Sequence, residues 1–432
     1  MDLLHASRAF SLRRAFRRSS FALTLLCSVA AQPVDTLAAP LASRVPLTSS
    51  LPLPGVSAAS WLLVDGESGQ ILLAHDPDLR REPASLTKLM TAYVVLGKLK
   101  QGYMDWDEML VVPDDVDRMG ADESRMYLRG DQAISVRNLL NGLIVVSAND
   151  AALTLADRFA TSQSAFVDEM NRTAQQLGMT GTHFTSPSGV GDNYTTARDM
   201  AVLSLRLVTD FPNFFQISSQ QRFSFEQFSA PNQNPLVNID PSIDGLKTGH
   251  TATAQYCIVA TANRAQSTAP FRRRIFAVIL GAPTRHLLMM SARAMLDTGF
   301  SAFDDIELAS AGTSVGSIPV AQGETSTVPV LSTVPLVVTV AHGQSASPLT
   351  IRSDNLPVAP VARGQVVARY LLRTGSGETI GGNLIAATAV RRGSLLRQTI
   401  DGVSMRITAW SQLVSNGMAR LLGVIGAQPS PH

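Results

Sequence analysis

The sequence predicts an α+β fold for the main body of this protein, followed by a smaller all-β region. Strand-like apolar runs precede and follow a block of helical periodicity, so we expect a sheet built from N- and C-terminal segments. From residue 305 the composition shifts to Val, Thr, Ser, Gly and Pro with short apolar runs. The 432 residues, 45% hydrophobic and 16% charged, are enough to bury more than one core.

The N-terminus has the pattern of an export signal. Its basic start contains Arg13, Arg14, Arg17 and Arg18. An apolar run from Ser20 to Ala31 follows, which is too short to span a bilayer comfortably. We therefore predict a signal peptide over residues 1–39, with cleavage after Ala31 or Ala39, and export of the body; an uncleaved N-terminal anchor is the alternative.

The two cysteines exclude an intramolecular disulfide in the mature chain, because Cys27 lies within the predicted signal peptide and Cys257 is left alone. Leu26 is too large for the small residue that a lipoprotein cleavage site requires, so we do not expect lipidation at Cys27. Cys257 lies in the apolar run Tyr256–Ala260, where we expect a buried structural thiol rather than a reactive one.

The α+β domain is predicted over residues 58–304, after a flexible leader at 40–57. Trp61–Asp65 and Ile71–Ala74 are separated by turn residues, which predicts a hairpin. Pro83 precedes a long helical pattern, as proline near a helix start often does. Further helical patterns cover Val136–Val146, Asp150–Phe159, Phe166–Leu177, Thr196–Val208 and Leu287–Leu296. The strands predicted after them are Gln255–Ala262 and Arg274–Leu280.

Residues 305–399 are predicted to form a small all-β domain, with runs such as Val328–Leu331 and Leu336–Val340 as strands. The segment 404–426 is predicted to be an amphipathic helix. Its apolar residues at helical spacing are Ile407, Trp410, Leu413, Val414, Met418, Leu421, Leu422 and Ile425. We expect this helix to lie on a membrane surface; the alternative is a helix packed on its own domain.

The basic residues are strongly biased toward arginine. Of 36 basic residues only 4 are lysines, which leaves 36 − 4 = 32 arginines. Lysine can lose its proton in a suitable environment and arginine cannot, so we expect this chain to use lysine where arginine cannot serve. The net charge is only +2 and no basic stripe accompanies the motifs described next, so we do not expect nucleic acid as a partner.

The first motif is Ser85-Leu86-Thr87-Lys88. Serine and lysine three positions apart on a helix share one face and can form a hydrogen bond. Serine needs a base to act as a nucleophile, and a desolvated lysine can be that base. The start of a helix also favours negative charge developing near Ser85. The alternative is a solvated surface pair.

The second motif, Ser147-Ala148-Asn149, follows one helical pattern and opens the next. A hydroxyl at this point can relay a proton between a lysine and a leaving amine, and the Asn149 amide can orient the lysine and a substrate carbonyl. The alternative is that Ser147 or Asn149 only caps a helix.

The third motif is Lys247-Thr248-Gly249, followed by His250. An ammonium and a hydroxyl on a strand edge can bind the terminal carboxylate of a peptide, and Gly249 allows a substrate backbone to approach. The backbone N–H of His250 can pair with that of Ser85 as an oxyanion hole, whereas we expect no chemical role for the His250 imidazole.

All three motifs in this order form the S-x-x-K, S-x-N, K-T-G set, and their joint occurrence by chance is small. The chain resembles the low-molecular-mass penicillin-binding proteins, specifically the serine D-alanyl-D-alanine carboxypeptidases, most clearly over residues 58–300. The segments that carry the resemblance are Pro83–Met90, Val146–Ala152, Phe166–Asn171, Leu177–Met179, Thr182–Phe184, Thr196–Met200 and Asp244–His250.

The resemblance implies a penicillin-binding and β-lactamase-like transpeptidase domain that trims stem peptides of bacterial peptidoglycan and is inhibited by β-lactams. It implies Ser85 as the acylated nucleophile and Lys88 as its general base. It assigns Ser147 and Asn149 to proton relay and positioning, and Lys247 with Thr248 to the substrate carboxylate. No metal or organic cofactor is implied, and the expected location is the periplasm, at the outer face of the inner membrane.

Two positions depart from the family pattern. Ala148 stands where these carboxypeptidases usually carry glycine, and the loop Gly189–Tyr194 lacks the histidine often found there. Arg285 is a possible further carboxylate contact, although a surface role is the alternative that we favour. The competing functions are a D,D-endopeptidase that cuts crosslinks, a β-lactamase, for which we locate no deacylating glutamate, and a non-catalytic wall-associated scaffold.

Overall fold

The computed structural model describes residues 41, 46–47, 55–159, 162–266, 271–399 and 401. The predicted signal peptide and the predicted helix at 404–426 therefore lie outside the described residues. The helices are α1 (Lys88–Lys100), α2 (Val136–Val145), α3 (Asn149–Phe159), α4 (Gln163–Gln176), α5 (Ala197–Asp210), α6 (Phe215–Ser218), α7 (Leu236–Ile239) and α8 (Arg285–Ala302). Short 3-10 turns lie at Ala84–Thr87, Asp114–Arg118 and Pro212–Phe214.

The strands are β1 (Ser60–Asp65), β2 (Ile71–His75), β3 (Met109–Val111), β4 (Ala133–Ser135), β5 (Arg222–Phe225), β6 (Phe228–Pro231), β7 (Ile243–Thr251), β8 (Gln255–Ala265), β9 (Arg272–Ala282), β10 (Phe303–Ala309), β11 (Ser314–Pro319), β12 (Thr327–Leu331), β13 (Leu336–Ala341), β14 (Thr350–Arg352), β15 (Val366–Arg373) and β16 (Thr379–Ala386). Among the described helices, none combines the length and the apolar character needed to cross a bilayer.

Five antiparallel strands form the main sheet, in the order β2-β1-β9-β8-β7. The predicted hairpin is confirmed as β1 and β2, and Leu62 of β1 lies opposite Val278 of β9. Strands from both ends of the α+β region therefore meet in one sheet, and helices α1 to α7 lie between them in sequence. The predicted α+β fold is confirmed.

Both faces of the main sheet are covered, which explains the unbroken apolar run Ile275–Leu280 in β9. Alternate side chains of a strand point to opposite faces. Phe276 and Val278 pack into the core shared with the helical block, whereas Ile275 and Ala277 pack into a second core against α8. Every residue of the run is fully buried, so this strand has no polar face.

Polar residues begin several of the helices. The hydroxyl of Ser135 accepts a hydrogen bond from the backbone N–H of Asn138 at the start of α2. The hydroxyls of Thr196 and Thr284 accept equivalent bonds in the first turns of α5 and α8. Each bond satisfies a backbone donor that the helix itself cannot pair, and so fixes where the helix starts.

A separate all-β region follows α8, as predicted. Its five-stranded sheet has the order β11-β12-β16-β15-β14, and β10 pairs with β13 outside that sheet. Val328, Val330 and Leu384 are fully buried in a core of their own. The composition shift at residue 305 thus corresponds to a hydrophobic core separate from the two of the α+β domain.

Three details differ from the sequence-based expectations. A 3-10 turn at Ala84–Thr87 precedes α1, so Ser85 lies just before the α-helix rather than in its first turn. The third motif lies within β7, a strand that was not among those predicted. The two-stranded pairs β3–β4 and β5–β6 were not predicted, because strands of three or four residues are too short to show a periodicity.

Candidate active site

Ser85 lies in the 3-10 turn that leads into α1, and Lys88 is the first residue of that helix. The Lys88 Nζ donates a hydrogen bond to the Ser85 Oγ at 3.0 Å. Ala84, directly before the serine, has a φ of 47°, in the left-handed region that non-glycine residues seldom adopt. The predicted serine–lysine contact is therefore present, on a sharply turned piece of backbone.

Lys88 is fully buried, unlike a lysine of a solvated surface pair. Burial lowers its pKa well below the ordinary value, and the nearby charge of Lys247 lowers this pKa further. The carboxylates of Glu123 and Asp150 act in the opposite direction. The Lys88 Nζ also donates to the backbone O of Ser188 at 2.6 Å, which holds the amine in place.

The Ser188 carbonyl belongs to a loop that sequence reasoning did not connect with the serine. A Cβ on Gly189 would lie only 2.1 Å from the backbone O of Ala84, and Gly189 has a φ of 94°. Only glycine allows this loop and the serine turn to approach so closely. The Asn193 Oδ1 accepts hydrogen bonds from the backbone N–H groups of Thr185 and Ser186, at 2.8 and 3.3 Å, and closes the loop.

The second motif joins α2 to α3. Ser147 has a φ of 62°, is fully buried, and its hydroxyl has no hydrogen-bond partner in the described part of the chain. The alternative that Ser147 caps a helix is therefore wrong. Asn149 is the first residue of α3, and its backbone N–H donates to the backbone O of Ser124 at 2.8 Å.

Two carboxylates that sequence reasoning missed surround this motif. The Asn149 Nδ2 donates to the Glu123 Oε2 at 2.7 Å. The Asp150 carboxylate accepts from the backbone N–H groups of Met126 and Leu128, which ties the segment after Glu123 to the start of α3. Burial raises the pKa of Asp150, and these backbone hydrogen bonds oppose that rise.

The third motif occupies β7, an edge strand of the main sheet. Lys247 is 1% exposed, and burial lowers its pKa to about 7. Its Nζ donates to the backbone O of Thr248 at 2.9 Å, while the Thr248 side chain is half-buried. The strand therefore holds an ammonium and a hydroxyl side by side at a sheet edge.

Gly249 brings β7 against the serine turn. A Cβ at this position would lie 2.9 Å from the backbone O of Pro83 and 3.0 Å from the backbone N of Ser85. The close approach that we had assigned to a substrate backbone is thus made by the protein's own chain. The imidazole of His250 is exposed and packs against the Tyr256 ring at a tilt of 31°, with 4.1 Å between ring centroids.

The remaining predictions concern residues outside these contacts. The Arg285 side chain is exposed, and its Nη2 donates to the backbone O of Gln233 at 3.3 Å, which agrees with a surface role. Cys257 is fully buried, and burial raises the pKa of its thiol to about 11, as expected for a structural cysteine.

Comparisons with known proteins agree with this geometry. Residues 47–284, more than half of the chain, match the family model described as D-alanyl-D-alanine carboxypeptidase. Residues 303–392 match that of the C-terminal domain of penicillin-binding protein 5. D-alanyl-D-alanine carboxypeptidase DacA of Haemophilus influenzae is 33% identical over 338 residues, covering 77% of this chain and 84% of the relative.

Solved structures extend the similarity to the fold. Penicillin-binding protein 5 from Haemophilus influenzae has a TM-score of 0.71 at 34% identity and covers 79% of this chain and 99% of its own. Penicillin-binding protein D2 from Listeria monocytogenes, solved in its ampicillin-bound form, has a TM-score of 0.52 at 31% identity over 58% of this chain and all of its own. The resemblance drawn from the motifs is confirmed, and the chain belongs to the D-alanyl-D-alanine carboxypeptidase family.

Proposed function

We propose that this protein is a serine D-alanyl-D-alanine carboxypeptidase that removes the terminal D-alanine from peptidoglycan stem peptides through an acyl-enzyme on Ser85. The observation that carries the proposal is the 3.0 Å contact between the Ser85 Oγ and the Nζ of a fully buried lysine with a lowered pKa. A neutral amine at that distance can take the serine proton. The family membership supplies the substrate class.

In the acylation step, the Ser85 Oγ attacks the carbonyl carbon of the penultimate D-alanine while Lys88 accepts the serine proton. The backbone N–H groups of Ser85 and His250 are proposed to stabilise the negative oxygen that forms. The Ser147 hydroxyl passes a proton to the nitrogen of the terminal D-alanine and receives in exchange the proton that Lys88 took from Ser85, and the C–N bond breaks. The buried hydroxyl of Ser147, with no protein partner in the described residues, is suited to such a relay.

Lys247 and Thr248 are proposed to bind the carboxylate of the terminal D-alanine, because an ammonium paired with a hydroxyl suits a carboxylate. Asn149 is proposed to hold the peptide. Water then attacks the ester: its oxygen bonds to the acyl carbon, the bond between the acyl carbon and the Ser85 oxygen breaks, and a proton from the water passes to the Ser85 oxygen. None of these steps needs a metal or an organic cofactor.

β-Lactams are proposed to acylate the same serine and so inhibit the enzyme, as the ampicillin-bound form of the Listeria relative suggests. The test is to incubate the purified protein with fluorescent penicillin and, separately, with diacetyl-lysyl-D-alanyl-D-alanine, and to measure covalent label and released D-alanine. We expect both, and we expect Ser85→Ala to lose both while its circular dichroism spectrum is unchanged.

The rival functions give other outcomes. Label without release of D-alanine would favour an endopeptidase, rapid loss of label with hydrolysed penicillin would favour a β-lactamase, and neither signal would favour a non-catalytic scaffold. Label that persists in Ser85→Ala would remove this serine from its assigned role.

We also propose that the protein is exported to the periplasm and attached to the outer face of the inner membrane through the amphipathic segment 404–426. The apolar spacing of that segment in the sequence supports this location. The full chain is expected to float with vesicles containing anionic phospholipid. Leu421→Glu, on the predicted apolar face, should abolish flotation, whereas Gln412→Glu, on the predicted polar face, should not. Absence of flotation in the unmodified protein would favour a helix packed on its own domain.

A further inference from the structure

Glu123 contacts the second motif from a separate segment of the chain. Its Oε2 accepts a hydrogen bond from the Asn149 Nδ2 at 2.7 Å, and its Oε1 accepts one from the backbone N–H of Gly120 at 3.1 Å. The side chain is half-buried. Among the described residues, no Lys, Arg or His nitrogen forms a salt bridge with it. Its negative charge therefore faces the motif without a paired cation.

The segment that carries Glu123 is fixed to the start of α3. The backbone O of Ser124 accepts from the Asn149 N–H, and the Asp150 carboxylate accepts from the backbone N–H groups of Met126 and Leu128. The Gln233 Nε2 donates to the backbone O of Val146 at 2.9 Å and lies 3.4 Å from the Ser124 hydroxyl. A carboxylate on such a braced segment can hold a neighbouring side chain in one orientation.

An amide side chain has two donors and one acceptor oxygen, and it can be rotated by half a turn without changing its shape. With one Nδ2–H committed to Glu123, the amide of Asn149 cannot exchange the positions of its nitrogen and oxygen without placing two acceptor oxygens together. The second Nδ2–H and the Oδ1 then have fixed directions. This matters because the proposed role of Asn149 is to present a donor to the peptide.

We propose that Glu123 is a positioning residue for the carboxypeptidase reaction: it holds the Asn149 amide in the orientation that binds the scissile peptide and keeps a negative charge near Lys88. The proposal rests on the proposed function of the site. Glu123 acts through Asn149, so it is not itself a catalytic residue.

The charge of Glu123 has a second consequence. It favours the protonated form of Lys88 and so opposes the burial and the Lys247 charge that lower the pKa of Lys88. Lys88 must be neutral to accept the serine proton. Removing the Glu123 charge therefore lowers the pKa of Lys88 and moves the acid limb of the rate profile toward lower pH.

The test separates hydrogen bonding from charge with two variants and a control. Glu123→Ala removes both, while Glu123→Gln removes the charge and keeps an oxygen that can accept from Asn149. Asp122→Asn removes one negative charge from the adjacent, exposed position and serves as the matched control. For each, kcat and KM for the diacetylated tripeptide, the pH dependence of penicillin acylation and the melting temperature are measured.

We expect Glu123→Ala to lower kcat/KM about 10-fold to 100-fold, the effect of a misplaced binding group, with little change in melting temperature. Glu123→Gln should recover most of that loss and move the acid limb to lower pH, and Asp122→Asn should resemble the unmodified protein. An unchanged kcat/KM in Glu123→Ala would overturn the positioning role. So would an equal loss of kcat/KM in both Glu123 variants, if that loss follows their melting temperatures and the pH profile does not shift. Absence of D-alanine release by the unmodified protein would instead overturn the proposed function.

Discussion

Burial separates the two motif lysines from the other two. Lys88 and Lys247 are 0% and 1% exposed, whereas Lys100 at the end of α1 is exposed and Lys98 is half-buried. Desolvation lowers the pKa of both motif lysines, and each also lies on an element of the proposed site. The two are proposed to work in opposite protonation states, Lys88 neutral as a base and Lys247 charged as a carboxylate ligand.

This difference predicts a bell-shaped dependence of kcat/KM on pH, because kcat/KM reports on groups of the free enzyme. The acid limb reflects protonation of Lys88. The alkaline limb reflects loss of the Lys247 proton, so kcat/KM should fall as the pH rises through about 7. Lys247→Arg should remove the alkaline limb, because a guanidinium stays charged.

The measurement is D-alanine release from the tripeptide between acidic and alkaline pH. Lys100→Arg is the control and should keep both limbs. An alkaline limb with the same midpoint in Lys247→Arg would assign that limb to another group.

At the scale of elements, the site depends on how closely a loop and a turn approach. The loop that carries Ser188 reaches the serine turn only because Gly189 has no side chain, and in this arrangement the Ser188 carbonyl accepts the Lys88 hydrogen bond. If the loop shifted, Lys88 would therefore lose its hydrogen bond to the Ser188 carbonyl, and the close approach of Gly189 to Ala84 would be lost as well.

Gly189→Ala tests this contact. A left-handed φ costs a non-glycine residue about 1–2 kcal/mol, and here the added Cβ would also meet the Ala84 carbonyl at 2.1 Å. We expect the rate of penicillin labelling to fall by more than the loss of stability explains. The labelling rate is measured at a temperature well below the melting temperature.

Gly178→Ala provides the matched control, because Gly178 has a φ of 77° but no atom within 4 Å of an added Cβ. This variant should lose some stability and label at the normal rate. Equal labelling by both variants would contradict the role of the close approach.

At the scale of the whole molecule, a buried ionic cluster joins the α+β domain to the all-β region. The Arg273 Nε lies 2.7 Å from the Asp65 Oδ2 and 3.2 Å from the Asp305 Oδ1, and all three side chains are buried. The Asp305 Oδ1 also accepts from the Thr339 hydroxyl at 2.7 Å. Gln70 continues the contact, since its Oε1 accepts from the backbone N–H of Thr339 at 2.8 Å.

Arg273→Met is expected to destabilise the protein by about 3–5 kcal/mol, because removing one partner leaves buried carboxylates without a cation. Burial, and then the charge of Asp65, raise the pKa of Asp305 to about 8. The folded state therefore binds this proton more tightly than the unfolded state does, and the stability from Asp305 decreases as the pH rises toward about 8. Losing the Arg273 charge should raise this pKa further, so the decrease should extend to higher pH and become larger in total.

Thermal unfolding followed by circular dichroism at pH 6 and pH 9 measures both effects. Arg272→Met, at an exposed neighbouring position of β9, is the control and should melt like the unmodified protein. An Arg273→Met protein that melts normally at both pH values would show that the cluster does not stabilise the molecule.

The features that depend on short spacings could be predicted from the sequence. Two apolar runs separated by turn residues predicted the hairpin β1–β2, the composition shift predicted the all-β region, and the three motifs predicted both the family and the pairing of Ser85 with Lys88. These features are local because a helical turn or a strand brings together residues that are at most a few positions apart.

The distant groups that meet at the site could not be predicted from the sequence, because the fold brings them together. The Lys88 bond to the Ser188 carbonyl spans 100 positions, and that from Asn149 to Glu123 spans 26. The ion pair of Arg273 with Asp65 spans 208. Polar groups in loops carry no periodic signal, and a backbone carbonyl carries no signal of any kind in the sequence. Their positions follow from the packing of the helical block and the sheet, which sets where each loop must pass.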